Sequence, residues 1–347
     1  MRSKSSRLFR RLLLVVACAY PLVLALLVLA LLVLAEGWWV TTALLYTPKI
    51  VLGAPLPFLA LALLWTRQRR WLWTQLVAAL LLLFPLMGLA LPWPTSSAGG
   101  RSFRLLSLNA DSGHFGPAAI AAEVASHEPD IVLIQEGQIN GGELSEELRK
   151  RFPHVEASTQ FTLASRFPIL STIDPERLPY FGRQRSPRFM KYVIETSIGA
   201  VTIFNVHPVS PRGALRVSRF RDALHQLRTG AFLEGDPDAD LQENAGLRGL
   251  QIATVAELAA KEHGLVLIAG DTNLPGLSAI LRNHLSQYED AFRAAGSGFG
   301  YTFPAKHPFL RLDRIFAGRY LRFTSFHVTC PGISDHLCVV ADIELAR

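Results

Sequence analysis

Cysteine is scarce in this sequence, which has three cysteines among 347 residues: Cys18, Cys330 and Cys338. So few cysteines exclude a disulfide-rich scaffold. Neither Cys330 nor Cys338 stands in a CxxC pair and the histidines are scattered, so zinc-binding spacing is absent as well. Cys330 and Cys338 could pair in an oxidising compartment or stay reduced in a protein core, and the sequence leaves both alternatives open.

Acidic residues are almost absent from the first hundred positions, where Glu36 stands against nine Lys or Arg and the net charge is +8. The other 247 residues hold 26 basic and 27 acidic residues, a net charge of −1. The overall charge of +7 therefore arises beside apolar segments and gives no evidence of a nucleic-acid-binding surface on the rest of the chain.

Charged residues are also rare within three long apolar stretches of the N-terminal part, residues 12–35, 40–65 and 71–91. At 1.5 Å per residue, each stretch is long enough to cross a hydrocarbon layer of ~30 Å. We predict three transmembrane helices in a membrane anchor of residues 1–94. A cleaved signal peptide is the alternative for the first stretch. The middle stretch contains Lys49 and three prolines, so a re-entrant or surface-lying segment is its alternative.

Basic residues predict the orientation of this anchor. They precede the first stretch at Arg2–Arg11 and separate the second from the third at Arg67–Arg70, and such flanks stay in the cytoplasm. Three crossings then put residues 101–347 on the extracytoplasmic side of a multi-pass membrane protein. If the middle stretch does not cross, this domain is cytoplasmic. Residues 95–100, within PWPTSSAGG, are predicted to link the anchor to the domain.

Residues 101–347 alternate between short apolar strands and helical patterns. Several strands follow one another with no helix between them, which excludes a simple parallel repeat and favours an α/β (α+β) sandwich of two mixed sheets flanked by helices. The predicted strands are 103–108, 131–134, 161–164, 192–196, 201–206, 265–269, 312–316, 323–328 and 337–343, and the predicted helices are 117–127, 142–151, 213–228, 246–263 and 277–285.

Polar side chains follow several of these strands directly. Asn109 ends one strand, Glu136 follows the next, and Asp271 and Asn273 come after LVLIAG. Side chains at strand ends are held by the sheet and can be reached from a cleft. Their oxygen atoms are the ligands that a hard cation such as Mg²⁺ prefers. Taken singly, each residue could equally be a solvated acid or a turn residue.

The order of the motifs is more informative than any one of them. IQE, NVHP, GDTN, LDRIF and SDH each end or begin an apolar strand, and LASRFPI, GYTFPA and a helix with Arg248 and Gln251 accompany them. The set resembles the endonuclease/exonuclease/phosphatase superfamily, which includes pancreatic-type deoxyribonuclease, apurinic endonucleases, inositol polyphosphate phosphatases and neutral sphingomyelinases. It covers roughly residues 101–345 and implies a four-layer, deoxyribonuclease-like sandwich.

The resemblance also implies a reaction, the hydrolysis of a phosphoester with a bound Mg²⁺ or Mn²⁺. Glu136 matches the family's main metal ligand, Asn109 matches a residue beside the metal and the phosphate, and Asp335 completes this environment. Asp271 matches the aspartate that orients or deprotonates the attacking water, and Asn273 matches an asparagine that contacts the phosphate.

Two histidines complete the implied catalytic set. His336 matches the catalytic histidine of the SDH motif, and Asp313 matches the aspartate that holds its ring. His207 matches a histidine that contacts the phosphate or assists the leaving group. The substrate class stays open between nucleic acid, phospholipid and inositol phosphate. The alternative function is that of a membrane-anchored binding or scaffold protein that keeps the fold without turnover.

A basic cluster offers further contacts to a substrate. Its members could bind additional phosphates or the anionic surface of a lipid bilayer, or could form an ordinary solvated face. We assign Arg188 to substrate binding. The cluster comprises Arg177, Arg183, Arg185, Arg188 and Lys191, followed by Arg212, Arg216, Arg219 and Arg221.

Overall fold

The computed structural model describes residues 4–91, 99–137, 142–211 and 239–346, with the backbone alone at 4–6 and 239–240. The chain forms two compact units. One is Met1–Leu89 with Gly276–Ala279, and the other is Ala90–Pro275 with Ile280–Arg347. Residues 95–98 of the predicted linker, the predicted helix 213–228 and four arginines of the basic cluster lie outside the described residues: Arg212, Arg216, Arg219 and Arg221.

The N-terminal unit contains the helices α1 (Lys4–Val33), α2 (Trp39–Leu45), α3 (Pro55–Trp65) and α4 (Leu72–Leu81). Within α1, residues Arg7–Val33 form a continuous apolar helix of 27 residues. It is long enough to cross a membrane, since 27 residues rise about 40 Å. Among the described residues it is the one helix that meets this criterion unbroken.

The middle apolar stretch is not the continuous helix predicted over residues 40–65. Its two helical parts, Trp39–Leu45 and Lys49–Trp65, meet at an angle of 92°. Pro48 disfavours helical backbone at the residue before it, and the Lys49 ammonium donates to the carbonyl oxygens of Leu44 (2.6 Å) and Leu45 (3.1 Å). The stretch is therefore a broken span or a re-entrant segment, as its prolines allowed.

The third stretch is shorter as a helix than the predicted span 71–91. α4 ends at Leu81 and continues into a π-helical turn, Leu82–Leu86, which contains Pro85. Together they rise about 22 Å, less than a hydrocarbon layer of ~30 Å. Proline has no N–H for the helical ladder, which accounts for the widened turn. The predicted bundle of three spans is thus not seen in the described residues.

The C-terminal unit is built from two six-stranded mixed sheets and a separate hairpin. Its helices are α5 (Pro117–Ser126), α6 (Glu143–Arg149), α7 (Ala239–Ala260), α8 (Ala279–Leu285) and α9 (Ala291–Ala295). Its strands are, in chain order, β1 (Ser102–Asn109), β2 (Ile131–Gln135), β3 (His154–Ser158), β4 (Phe161–Ser165), β5 (Ile169–Ile173), β6 (Leu178–Tyr180), β7 (Arg183–Arg185), β8 (Phe189–Thr196), β9 (Gly199–Val206), β10 (Leu265–Asp271), β11 (Glu289–Asp290), β12 (Asp313–Ala317), β13 (Leu321–Thr329) and β14 (Cys338–Leu345).

The strand order is β13-β14-β1-β2-β4-β3 in the first sheet and β11-β12-β10-β9-β8-β5 in the second. Each sheet has one parallel pair, β1 with β2 and β9 with β10, at or next to its centre. The carboxyl ends of parallel strands lie at the same edge of a sheet, so each sheet collects the residues that follow two strands. The hairpin pairs β6 with β7.

Successive side chains of β1 enter different layers of the core. Phe103 and Leu105 pack between the two sheets, whereas Leu106 and Leu108 pack on the outer face with Ile120 of α5. The outer face of the second sheet packs in the same way against α7 and α8. Because the central strands are buried on both faces, they read as continuous apolar runs. The predicted arrangement of two mixed sheets flanked by helices is confirmed.

The strands that the sequence analysis missed are mostly peripheral. β3 and β5 are edge strands, and their sequences HVEAS and ILSTI are half exposed, with little apolar alternation to reveal them. β6, β7 and β11 are two or three residues long. α7 begins at Ala239, seven residues before the predicted Gly246.

Candidate active site

The ends of the central strands of both sheets meet at Asn109. Its side-chain amide donates to Oε1 of Glu136 over 3.2 Å and to Oδ2 of Asp271 over 3.1 Å. Asn109 ends β1, Glu136 follows β2 and Asp271 ends β10, so this side chain bridges the two sheets. The strand-end residues predicted to act together are therefore in contact.

The glycine of GDTN is required by the close approach of β9 and β10. Gly270 has φ +140°, and a Cβ there would lie 2.1 Å from the carbonyl oxygen of Val206. Only glycine fits such a position without moving backbone. The close approach sets Asp271 beside His207, the residue after Val206. Asn273 follows with φ +50°, and its N–H donates to Oδ1 of Asp271 over 2.8 Å.

His336 and Asp313 form a buried pair. Nδ1 of His336 donates to Oδ2 of Asp313 over 2.8 Å, and Nε2 lies 3.8 Å from Oδ2 of Asp271. Burial lowers the pKa of His336, but the carboxylates of Asp313 and Asp271 outweigh burial and raise it to about 9. The pairing that the LDRIF and SDH motifs imply is present, and it directs Nε2 toward Asp271.

The SDH loop is fixed to the end of β1 by a hydrogen bond of Ser334. The Ser334 hydroxyl donates to the carbonyl oxygen of Asn109 over 2.6 Å and accepts from the backbone N–H of His336 over 3.1 Å. Thr302, within GYTFPA, accepts from the N–H of Asp313 over 3.3 Å. The ring of Phe303 packs against His336 with centroids 4.7 Å apart. Ser334 and Thr302 thus support the catalytic pair, a role that the motifs did not reveal.

A disulfide joins the two cysteines that flank this loop. Cys330 and Cys338 are bonded, with their Cα atoms 5.5 Å apart, and both side chains are buried. The structure therefore shows the paired form of the two alternatives. The bond closes the loop that carries Asp335 and His336.

His207 is held by a residue that the sequence analysis did not identify. Its Nδ1 donates to Oε1 of Gln160 over 2.7 Å, so Nε2 faces Oε1 of Glu136 at 3.4 Å and Oδ2 of Asp271 at 3.7 Å. Gln160 lies in the turn between β3 and β4, outside every motif, and no sequence signal pointed to it. The two histidines therefore approach the Asp271 carboxylate with Nε2.

Of the five cluster members that the structure describes, Arg188 is the one that it brings to this site. Its guanidinium donates to Oε1 of Gln160 over 3.4 Å, and its carbonyl oxygen accepts from the N–H of His207. Burial lowers the pKa of Arg188, while the nearby Glu136 carboxylate acts to raise it. Arg185 pairs instead with Glu243 and Lys191 with Glu262.

Asn273 and Asn109, which were predicted to contact phosphate or metal, hydrogen-bond to other protein groups in this structure. The Asn273 amide donates to the carbonyl oxygen of Pro208 over 3.1 Å, which fixes the loop after His207. The Asn109 oxygen accepts from the N–H of Asp111 over 3.0 Å, so Asn109 serves here as a hydrogen-bond bridge. Their predicted contacts with phosphate and metal stay predictions.

Three carboxylates form the partly exposed side of the site. The side chains of Glu136, Asp111 and Asp335 are 27%, 29% and 32% exposed. Burial raises the pKa of Asp111 and the charge of Asp335 raises it further; His114 acts to lower it, and Glu136 adds the smallest raising effect. A hard divalent cation prefers carboxylate oxygens and would offset the charge of Asp335 and Glu136 on Asp111, so these residues fit Mg²⁺ or Mn²⁺. Asp111 was not predicted, although it lies two residues after Asn109.

Asp271, Asp313 and His336 also bring three potential ligand atoms within 4.8 Å of one another. They are less suited to a metal ion, because two of them already hydrogen-bond to each other and all three are buried.

Glu136 has φ +54°, a left-handed backbone conformation that is unusual outside glycine and is often found at functional sites.

The sequence of residues 106–336 matches the sequence model of the endonuclease/exonuclease/phosphatase family. The chain belongs to this family. Its members hydrolyse phosphate esters, and the chain is accordingly a hydrolase that acts on phosphate ester bonds. No curated protein matches the chain significantly in sequence.

Solved structures of the family share the fold of the C-terminal unit. An endonuclease/exonuclease/phosphatase from Beutenbergia cavernae is 16% identical, with a TM-score of 0.52 over 71% of this chain and 72% of its own. A mutant beta toxin of Staphylococcus aureus with bound magnesium ions is 16% identical, with a TM-score of 0.51 over 70% of this chain and 99% of its own. At this identity the likeness establishes the fold alone.

Proposed function

We propose that this chain is a membrane-anchored, divalent-metal-dependent phosphoester hydrolase whose catalytic unit lies on the extracytoplasmic side. The observation that carries the proposal is the contact of Asn109 with both Glu136 and Asp271. It brings the implied metal ligand and the implied water-activating carboxylate together from two different sheets.

The residues that would hold the metal ion are Glu136, Asp335 and the newly identified Asp111, with Asn109 beside them. A bound Mg²⁺ or Mn²⁺ would polarise a phosphoryl oxygen and stabilise the charge that develops in the transition state. The fit rests on three partly exposed carboxylates, two of which, Asp335 and Glu136, act by their charge on the third, Asp111. Magnesium ions bound in the beta toxin structure are consistent with this assignment.

The remaining residues orient the water and the phosphate. Asp271 is assigned to orient or deprotonate the attacking water, because its Oδ2 is held by Asn109 and faces Nε2 of His207 and His336 at 3.7 and 3.8 Å. Asp313 fixes the ring of His336 so that Nε2 can hydrogen-bond to a phosphoryl oxygen. His207, Asn273 and Arg188 are assigned to the phosphate or the leaving group.

The outward orientation is supported by two independent features. Basic residues Arg2–Arg11 precede α1, which favours a cytoplasmic N-terminus. With α1 as a single crossing, the catalytic unit then lies outside the cell, whereas a second crossing by the bent middle stretch would return it to the cytoplasm. The Cys330–Cys338 disulfide is typical of an oxidising compartment.

A substrate panel tests this function on the purified full chain in detergent. Each substrate class would be offered with Mg²⁺, with Mn²⁺ and with chelator: DNA, RNA, phospholipid, inositol phosphate, and the synthetic diester bis-p-nitrophenyl phosphate. We expect metal-dependent hydrolysis of at least one. Absence of turnover on the whole panel would instead favour a binding or scaffold protein.

A further inference from the structure

The core between the two sheets changes from apolar to polar toward the active site. On β1, β2 and β9, an apolar residue of the core between the sheets is followed two positions later, on the same face of the strand, by a fully buried polar residue. These steps lead from Leu105 to Ser107, from Leu133 to Gln135 and from Ile203 to Asn205. We call Ser107, Gln135 and Asn205 the inter-sheet polar layer.

Two of the hydrogen bonds in this layer cross from one sheet to the other. The Gln135 amide donates to Oδ1 of Asn205 over 2.7 Å, and the Asn205 amide donates to the carbonyl oxygen of Ile134 over 3.2 Å. The Gln135 amide also donates to the Ser107 hydroxyl over 3.2 Å, within the first sheet. Directional contacts therefore join β2 of the first sheet to β9 of the second, next to the active site.

The stability of the fold does not account for this layer. Replacing both partners of a buried hydrogen bond by apolar groups of the same shape is often neutral or stabilising. In addition, Oε1 of Gln135 is buried and accepts no hydrogen bond from the described residues, which costs stability. Apolar residues fill the equivalent positions one step earlier on each strand. The layer thus carries an energetic cost that a role in the neighbouring site would explain.

The contacts of the active site depend on the relative position of the two sheets. Asn109 and Glu136 stand at strand ends of the first sheet, and His207 and Asp271 at strand ends of the second. Between the sheets, the Asn109 amide lies 3.1 Å from Asp271, and Nε2 of His207 lies 3.4 Å from Glu136. Apolar packing has no preferred direction, whereas a hydrogen bond fixes both distance and angle. A misplacement of roughly 1 Å can lower a rate about a hundredfold, so the offset between the sheets matters for catalysis.

We propose that Gln135 and Asn205 are positioning residues whose hydrogen bonds fix the offset between the two sheets and so hold the catalytic groups of one sheet opposite those of the other. The path to the site is short, since Glu136 follows Gln135 directly and His207 lies two residues after Asn205. The Gln135 carbonyl oxygen also accepts from the N–H of Ala110 over 2.9 Å, which ties the ends of β1 and β2 together. The effect on turnover rests on the proposed function, whereas the coupling between the layer and the site does not.

The kinetic test replaces the whole layer by apolar side chains. Ser107→Ala, Gln135→Met and Asn205→Leu are combined in the full chain in detergent, and kcat, KM and the melting temperature are measured with a substrate that the panel shows to be hydrolysed. We expect kcat to fall about tenfold with KM within about twofold of wild type. The melting temperature should stay at or above the wild-type value, because no side chain of the layer is left unpaired. A wild-type kcat would overturn the proposal, and an unfolded or less stable variant would do so by assigning the layer to stability.

A swapped pair separates hydrogen bonding from side-chain volume. Gln135→Asn combined with Asn205→Gln keeps one amide on each sheet and the same combined length, so it should recover most of the lost kcat. A swapped pair as slow as the apolar variant would rule out the positioning role. Thr202→Val is the matched control, because Thr202 is buried on the opposite face of β9 and its hydroxyl donates to Glu262. Its kcat should equal that of wild type.

A thermodynamic cycle tests the coupling without any turnover. Asn109→Ala removes the contact between Asn109 and Asp271, and the resulting shift in melting temperature is measured in wild type and in the apolar variant. If the layer holds these two residues opposite each other, the shift in the apolar variant should be at most about half of the wild-type shift. Equal shifts in the two backgrounds would contradict the proposal. Absence of turnover on the substrate panel would count against the proposed function and leave the result of this cycle unaffected.

Discussion

Nδ1 of His336 lies 2.8 Å from Oδ2 of Asp313, and both side chains are buried. Asp313 begins β12 in the second sheet, whereas His336 lies in the loop before β14 of the first sheet. The pair therefore joins the two sheets, as Asn109 does through its contacts with Glu136 and Asp271. Its geometry leaves Nε2 of His336 directed at the Asp271 carboxylate.

Replacing Asp313 by Asn should act through His336. An amide can present an N–H to Nδ1 and so favour the wrong tautomer of the ring. We expect kcat to fall by about a hundredfold or more for Asp313→Asn and for His336→Ala. The double variant should be no slower than His336→Ala alone. Additive losses would contradict the pairing, and exposed Asp174→Asn serves as the control.

Gln160 should position His207 in the same manner. Gln160→Leu removes the acceptor for Nδ1 and frees the imidazole ring to rotate. We expect a lower kcat that is not additive with that of His207→Ala, while Gln160→Glu, which keeps an acceptor, restores part of the activity. Steady-state kinetics on bis-p-nitrophenyl phosphate would measure this. Exposed Gln287→Leu should behave as wild type, and an active Gln160→Leu variant would count against the role.

The central strands and the residues at their ends could be predicted because strands that are buried on both faces appear in the sequence as continuous apolar runs. Glu136 and Asp271 follow such runs directly, so the topology of parallel strands was enough to bring them together. Gln160, Thr302 and Ser334 act through turns and backbone contacts, which leave no periodic signal. Asp111 could have been found, since a turn directly after β1 keeps it near Asn109.

The N-terminal part was harder to predict for a physical reason. Hydropathy reports how apolar a stretch is, and residues 40–65 are apolar, but it does not report the 92° bend after Leu45. The bend depends on Pro48 and on the contacts of the Lys49 ammonium with carbonyl oxygens. Pro85 similarly ends the regular part of α4. In this part of the chain the positions of the prolines therefore determine where a helix ends, whatever the length of the apolar stretch.

The Cys330–Cys338 disulfide should stabilise the SDH loop. Replacing both cysteines by Ser should lower the free energy of unfolding by about 2–3 kcal/mol, since the bond closes a short loop. We also expect a lower kcat, because Asp335 and His336 lie within that loop. Thermal unfolding with and without reductant measures the effect, and Cys18→Ser is the control. A reductant without effect on wild-type stability would contradict the pairing.

Asp290 should make folding sensitive to acid. Burial acts to raise the pKa of Asp290, but Arg311 and Arg314 outweigh burial and lower it. A carboxyl whose folded pKa lies below its unfolded value stabilises the protein at neutral pH, and this stabilisation is lost as pH falls through the folded pKa. Asp290→Asn also leaves two buried guanidinium groups without their carboxylate.

We therefore expect Asp290→Asn to cost about 3–5 kcal/mol at neutral pH and to flatten the decline of stability in acid. Chemical denaturation followed by near-ultraviolet circular dichroism at several pH values would measure both. The surface pair of Glu147 and Lys150 provides the control, since Glu147→Gln should change stability by less than about 0.5 kcal/mol. Equal pH dependence of wild type and Asp290→Asn would contradict the assignment.

The central claim is that a divalent metal ion held at Glu136 is needed for phosphoester hydrolysis. The most direct measurement uses a substrate that the panel shows to be hydrolysed. Its turnover by the metal-stripped full chain is followed as Mg²⁺ is titrated back, for wild type and for Glu136→Gln. The account predicts that chelation abolishes wild-type turnover, that Mg²⁺ restores it, and that Glu136→Gln stays about a hundredfold or more below it. Turnover that survives chelation, or a Glu136→Gln variant as active as wild type, would contradict it.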